Sequence, residues 1–216
     1  MAKKRSYGDR CGVARALDLV GERWALLVVR ELLLGPKRFT DLRAGLPHLS
    51  PDVLSQRLRE LEESGVVRRR TLAPPAGSRV YELSERGQEL EAVVLALGRW
   101  GSVAPFPPGD AEIGVHAFVI ALKTLFDPGA AAGARGRYEL RLGQQSFCAE
   151  LVDGRLEVTR GTAEAPDAVI ESDPGTLSAV LWHDRELAEA ERSGAIAITG
   201  SRRGATRFLR LFPPAA

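Results

Sequence analysis

The residues with the most specific chemistry lie between Ser50 and Ser64. At 100° per residue, Leu54, Leu58 and Leu61 point to one side of a helix, and Asp52, Gln56, Arg59 and Glu63 point to the other, with Ser55 at the shoulder. An α-helix of this kind fits the major groove of duplex DNA, where Gln pairs bidentately with adenine, Arg with guanine, and Ser with several base edges. Ser50 as N-cap and Pro51 at the first helical position set the start of the helix, and its N-terminal amides suit a phosphate oxygen. Lys37 and Arg38 precede the neighbouring helix, and Arg68, Arg69, Arg70 and Arg79 flank a turn, so all six are candidates for phosphate contacts. The candidate DNA-contacting set is Lys37, Arg38, Thr40, Ser50, Pro51, Asp52, Ser55, Gln56, Arg57, Arg59, Arg69 and Arg79. The same periodicity also fits an ordinary amphipathic helix with a solvated face, and Glu60, Glu62 and Glu63 would repel a polyanion.

Those residues need a scaffold, and the pattern supplies one. Apolar residues at helical spacing (Val13, Leu17, Val20; Trp24, Leu27, Val28, Leu32; Phe39, Leu42, Leu46) predict three helices before the one at Pro51. Two strand-like runs, 66–72 and 79–83, joined by the turn-forming 73–78, predict a β-hairpin, and Ser84 caps a helix running to about Trp100. Helix, helix, turn, helix and hairpin in this order describe a winged helix-turn-helix. The stretch 104–110 is rich in Pro and Gly and reads as a linker, which divides the 216 residues into a winged-helix domain, 1–103, and a second domain, 111–216. The first carries 18 Lys+Arg against 13 Asp+Glu; residues 104–216 carry 12 against 15. A net +5 on the first favours a polyanionic partner, and a net −3 on the rest argues against a second nucleic-acid site. In the second domain a helix over 111–126 is followed by strands at 137–142, 146–152, 155–160 and 168–171, helices from Pro174 and Glu186, a strand at 196–199 and a terminal helix at 202–211. The expected fold class is therefore α+β, with Asp153-Gly154 as a hairpin turn.

Four runs carry a resemblance: Cys11; 19–24, LVGERW; 31–42, ELLLGPKRFTDL; and 54–62, LSQRLRELE, with 80–87, VYELSERG, completing them. Residues 11–101 resemble the HxlR family of bacterial winged-helix transcriptional regulators. The resemblance implies a homodimer that binds pseudo-palindromic operator DNA and pairs through its first and last helices, here around 13–19 and 91–100. It also places Cys11 where some members carry a redox-sensing or electrophile-sensing thiol, and neighbouring Arg10 and Arg15 would favour the thiolate, although a thiol that only packs a helix is the alternative. Residues 137–212, through 163–170, 173–177 and 194–200, resemble a sterol carrier protein type-two-like fold. That resemblance implies an apolar site for a hydrophobic small molecule, with Phe118, Leu122, Phe126, Leu181 and Trp182 as candidate lining. Each of these five also fits plain core.

Other chemistry finds little support. His48, His116 and His183 are scattered, no HExxH, GxSxG, GxGxxG or GxxxxGK[ST] pattern occurs, and no enzyme, metal or cofactor is expected. Cys148 alternates with core residues along a strand and reads as packing. No apolar run approaches membrane-spanning length and no signal region opens the chain, so a cytoplasmic protein without membrane attachment is expected. The expectation is a DNA-binding regulator, a repressor in sign, with a thiol sensor or a lipid carrier as alternatives.

Overall fold

The computed structural model describes residues 6–73, 77–104 and 112–215. They form two compact units, Met1–Val94 and Leu95–Ala216. Of the expected linker, only Ala104 is among the described residues.

The first unit opens with α1 (Gly12–Val20), α2 (Ala25–Leu32), α3 (Phe39–Gly45) and α4 (Pro51–Glu63). Ser50 accepts a hydrogen bond from the Val53 amide at 3.4 Å, which closes the first turn of α4 as a Ser-Pro start requires. Strands β1 (Val67–Thr71) and β2 (Arg79–Leu83) pair antiparallel with Arg69 opposite Tyr81, and the backbones of Lys37 and Tyr81 exchange two hydrogen bonds that add a third rung. Residues 74–76 of the expected turn lie outside the described residues. The core is made by Val28, Val29 and Leu32 of α2, Leu42 of α3, Leu54, Leu58 and Leu61 of α4, and Val67, Val80 and Leu83 of the hairpin. Burying each such side chain contributes roughly 1.5–3 kcal/mol.

The continuous helix expected from Ser84 to Trp100 is interrupted. A one-turn α5 (Glu85–Gln88) ends at Glu89, and α6 runs over Leu90–Ser102. Ser84 fixes the start of α5: its hydroxyl accepts from the Gly87 amide and donates to the Gly65 carbonyl at 2.6 Å, pinning that start to the end of α4. A Cβ at Gly87 would collide with the Val66 carbonyl oxygen, so this close approach needs glycine.

The second unit holds α7 (Val115–Leu125), β3 (Gly136–Leu142), β4 (Gln145–Val152), β5 (Arg155–Arg160), β6 (Ala168–Ser172), α8 (Pro174–Trp182), α9 (Leu187–Arg192), β7 (Ile196–Gly200) and α10 (Arg202–Leu209). The sheet order is β5-β4-β3-β6-β7; β3 and β6 run parallel and the other neighbours antiparallel. Asp153 and Gly154, both at positive φ, make the two-residue turn between β4 and β5. Register separates the two faces. Tyr138, Leu140, Phe147, Ala149, Val158, Ala168 and Ile170 point to the buried side, while Arg137, Glu139, Arg141, Cys148, Glu150 and Glu171 share the other. The segment from 161 to 167 is tied across that polar side: Glu139 accepts from the Ala163 amide at 3.0 Å and Arg137 donates to the Glu164 carbonyl at 2.9 Å. Among the described residues no helix is long and apolar enough to cross a membrane.

Candidate nucleic-acid interface

Helix α4 is held by its inner side. Leu54, Leu58 and Leu61 are each at most 1% exposed, and the opposite side presents Asp52, Gln56, Arg59 and Glu63 to solvent, with Ser55 half-buried. Gln56 donates to Glu60 at 3.0 Å, an i,i+4 contact on the exposed face that a base edge can displace. Arg59 has no acidic partner among the described residues. At the N-terminus Pro51 has no N–H and Ser50 takes the Val53 amide, which leaves the Asp52 amide beside an Asp52 carboxylate. The N-terminus is thus a narrower anion site than the sequence implies.

Two of the sequence-derived candidates do not belong to this surface. Lys37 is 5% exposed, and its Nζ lies 2.6 Å from Oε2 of Glu31, itself 2% exposed. The other Glu31 oxygen takes Arg30 at 2.8 Å, and a Cβ at Gly45 would collide with this carboxylate, so the group fills the space between α2 and α3. Burying a lysine requires a counter-charge, and Glu31 is that charge. Arg57 is likewise buried, at 7% exposure, because its position on α4 lies beside Leu54, Leu58 and Leu61. Its Nη1 lies 2.5 Å from Glu60 and 3.4 Å from Glu22 in the turn between α1 and α2. Neither cation can reach a phosphate without breaking the core.

Arg38, Thr40 and Arg43 are exposed on or beside α3, where Asp41 accepts from the Arg38 amide at the helix start. Arg43 was missed by the sequence reading; its exposed place in the last turn of α3 is the signal that would have found it. On the hairpin, Arg68 and Arg70 both pair with Glu82, at 2.8 and 3.0 Å, which neutralises part of the expected phosphate grip. Arg69 lies over the Tyr81 ring and reaches Glu62 of α4 at 2.8 Å, while Arg79 has no ion-pair partner among the described residues. An exposed pair such as Arg69–Glu62 is worth at most about 1 kcal/mol, so a phosphate can take it over.

Cys11 is exposed and stands as N-cap of α1, its amide donating to Asp9 at 2.8 Å. Cys148 is half-buried on the polar side of the sheet, where burial, followed by the charge of Glu150, pushes its thiol up. In the second unit Phe118 and Leu122 are fully buried, and Phe126, Leu181 and Trp182 partly so. Phe118 meets Trp182 at 5.6 Å between ring centroids, and Phe126 meets Phe212 at 6.1 Å. Three of the five candidate lining residues thus take part in ring contacts, Phe118 with Trp182 and Phe126 with Phe212.

Comparison with known proteins bears on the first unit. Residues 19–105 match the family model described as HxlR-like helix-turn-helix. The uncharacterized HTH-type transcriptional regulator YvaP of Bacillus subtilis (strain 168) is 38% identical over 88 residues, covering 41% of this chain and 82% of YvaP. The HTH-type transcriptional regulator YodB of the same organism is 36% identical over 95 residues, or 44% of this chain and 84% of YodB. A solved quinone-bound structure of YodB is 33% identical and covers 43% of this chain and 97% of YodB, with a TM-score of 0.37. With a relative above 30% identity matched over four fifths of its length, and the exposed α4 in place, the chain belongs to the HxlR-like helix-turn-helix family of DNA-binding transcriptional regulators.

Proposed function

We propose that the protein is a homodimeric repressor that lays α4 of each protomer in successive major grooves of a pseudo-palindromic operator. The observation that carries this reading is the outer face of α4, where Gln56 and Arg59 are exposed, with Arg69 and Arg79 exposed on the hairpin of the same unit. Gln56 and Arg59 read base edges; Arg38, Thr40, Ser50, Asp52 through its amide, Arg69 and Arg79 hold the backbone. Support for self-association comes from apolar groups left in solvent: Val13 and Leu17 on α1, and Val93, Leu97 and Trp100 at i, i+4 and i+7 on α6. Stripes of this kind are rare on monomers and fit a second copy. Repression is the expected sign because occupancy of promoter DNA is sufficient for it.

The test is binding to the DNA upstream of the protein's own coding sequence. Replacing Gln56 and Arg59 with Ala should erase the preference for that DNA over random duplex, about 1–3 kcal/mol per lost base contact. Replacing Arg79 with Ala should weaken both duplexes alike and reduce the salt slope by about 0.9. Parent-like behaviour of both variants would overturn the docking of α4.

A subordinate part of the proposal is that the second unit receives an apolar small molecule beside Phe118, Phe126 and Trp182, which changes the spacing of the two α4 helices. A second reading, a thiol switch at Cys11, is favoured by the exposure of that residue at a helix start.

A further inference from the structure

The net charge of the second half hides a segregation. Of its 12 Lys+Arg, four fall at 202, 203, 207 and 210, on α10 and its C-cap, and no carboxylate lies between 192 and the C-terminus. On that helix Ala205, Phe208 and Leu209 face the core, and Arg203, Arg207 and Arg210, at i, i+4 and i+7, form a stripe on the opposite, exposed side. Arg202 is held by Glu191 through two contacts, at 3.1 and 2.6 Å. Arg203 and Arg210 have no acidic partner among the described residues, and Arg207 donates only to the Arg135 carbonyl, at 3.4 Å.

This arrangement opposes local stability twice. Like charges at i,i+4 repel, and Arg203 stands in the first turn, where the helix dipole favours an acid and none is present. A cationic stripe kept against those costs suits an external anion. Three guanidiniums along about 10 Å of helix match a row of phosphates better than a single anion, and Arg is the residue for bidentate phosphate contact. A bilayer fits less well, because the apolar side of α10 is already buried in its own domain and leaves nothing to insert.

We propose that Arg203, Arg207 and Arg210 form a second, sequence-independent contact for the sugar-phosphate backbone of duplex DNA. The proposal rests on the DNA-binding reading above. Because both units belong to one chain, a contact too weak to hold DNA alone still adds to the affinity of the first.

The experiment measures binding of the full chain to a 40-base-pair duplex of random sequence across a salt series, for the parent, R203Q/R207Q/R210Q and R203K/R207K/R210K, with thermal unfolding as a folding control. The Gln variant should unfold like the parent and lose about 2–3 units from the slope of log K against log salt, and the Lys variant should retain most of it. A Gln variant that is folded and has the parent's slope overturns the proposal while leaving the α4 reading intact; a parent that binds neither random nor upstream DNA overturns both. Loss of binding to phosphatidylserine vesicles, or loss of self-association, with an unchanged DNA slope would reassign the stripe to a membrane or to a second copy and equally overturn it. Should the Gln variant fail to fold, the single substitution R203Q, at the helix start, carries the same test with a loss of about 0.9.

Discussion

A lysine ammonium that leaves water needs an opposite charge at contact distance, and the Lys37–Glu31 pair shows what that requirement does to a residue's role. Replacing Lys37 with Met leaves the Glu31 carboxylate between α2 and α3 with one oxygen unpaired and Arg30 on the other, and denaturant titration should show a loss of about 1–3 kcal/mol. The double substitution Lys37→Met with Glu31→Gln should recover part of that loss, since the half-paired carboxylate is gone while its contact with Arg30 is weakened; no recovery would mean that the pair is not the source of the cost. Sequence alone assigned Lys37 and Arg57 to DNA because basic residues are exposed by default. Gln56, Arg59, Arg69 and Arg79, whose exposure follows from period and turn position, were placed correctly on the surface. Burial of a cation depends on a carboxylate supplied by another element, Glu31 for one and Glu22 with Glu60 for the other, and helical periodicity carries no information about such partners.

At the scale of elements, α4 is tied to the turn that precedes α2. Trp24 in that turn has φ +77, an unusual conformation for a bulky residue, and Arg23 lies over its ring at 5.5 Å. The Glu22–Arg57 ion pair connects this turn to α4, the helix proposed to face DNA. In a double-mutant cycle, Glu22→Gln and Arg57→Met should be non-additive by about 0.5–3 kcal/mol in stability, and Glu22→Gln alone should lower the ratio of operator to random-duplex affinity. Additive effects with an unchanged ratio would show the turn and the helix to be independent. Most elements were legible from the sequence, since α1 to α4, the hairpin and the strands of the second unit each carry a clear period or a strong cap. The break between α5 and α6 was not, and the anchoring of α5 by Ser84 to the Gly65 carbonyl, 19 residues earlier, is a long-range contact that periodicity does not report.

For the molecule as a whole, acid sensitivity includes Glu139 on the polar side of the second unit's sheet and Asp173 at the start of α8. Hydrogen bonding to Arg141 holds the Glu139 carboxyl below its ordinary value, against the effect of burial and with help from the Ala163 amide. A group with a lowered folded pKa contributes stability that is complete above its unfolded value and disappears as pH falls through the folded one. Thermal stability should therefore decline as pH drops below about 4.5, and Glu139→Gln should flatten part of that decline while lowering stability near neutrality. Differential scanning calorimetry over this range checks both, and a variant with the parent's pH profile would remove Glu139 from the account.

The parallel pairing of β3 with β6 has one more consequence. Ala168, thirty positions after Tyr138, must be made before the two can pair, and the edge strand β7 must wait for a further stretch before it can join β6. The elements α1 to α4 and their hairpin lie earlier in the chain, and the ribosome delivers them first. A nascent chain thus carries the helices and hairpin of the first unit before the seam between β3 and β6 can close.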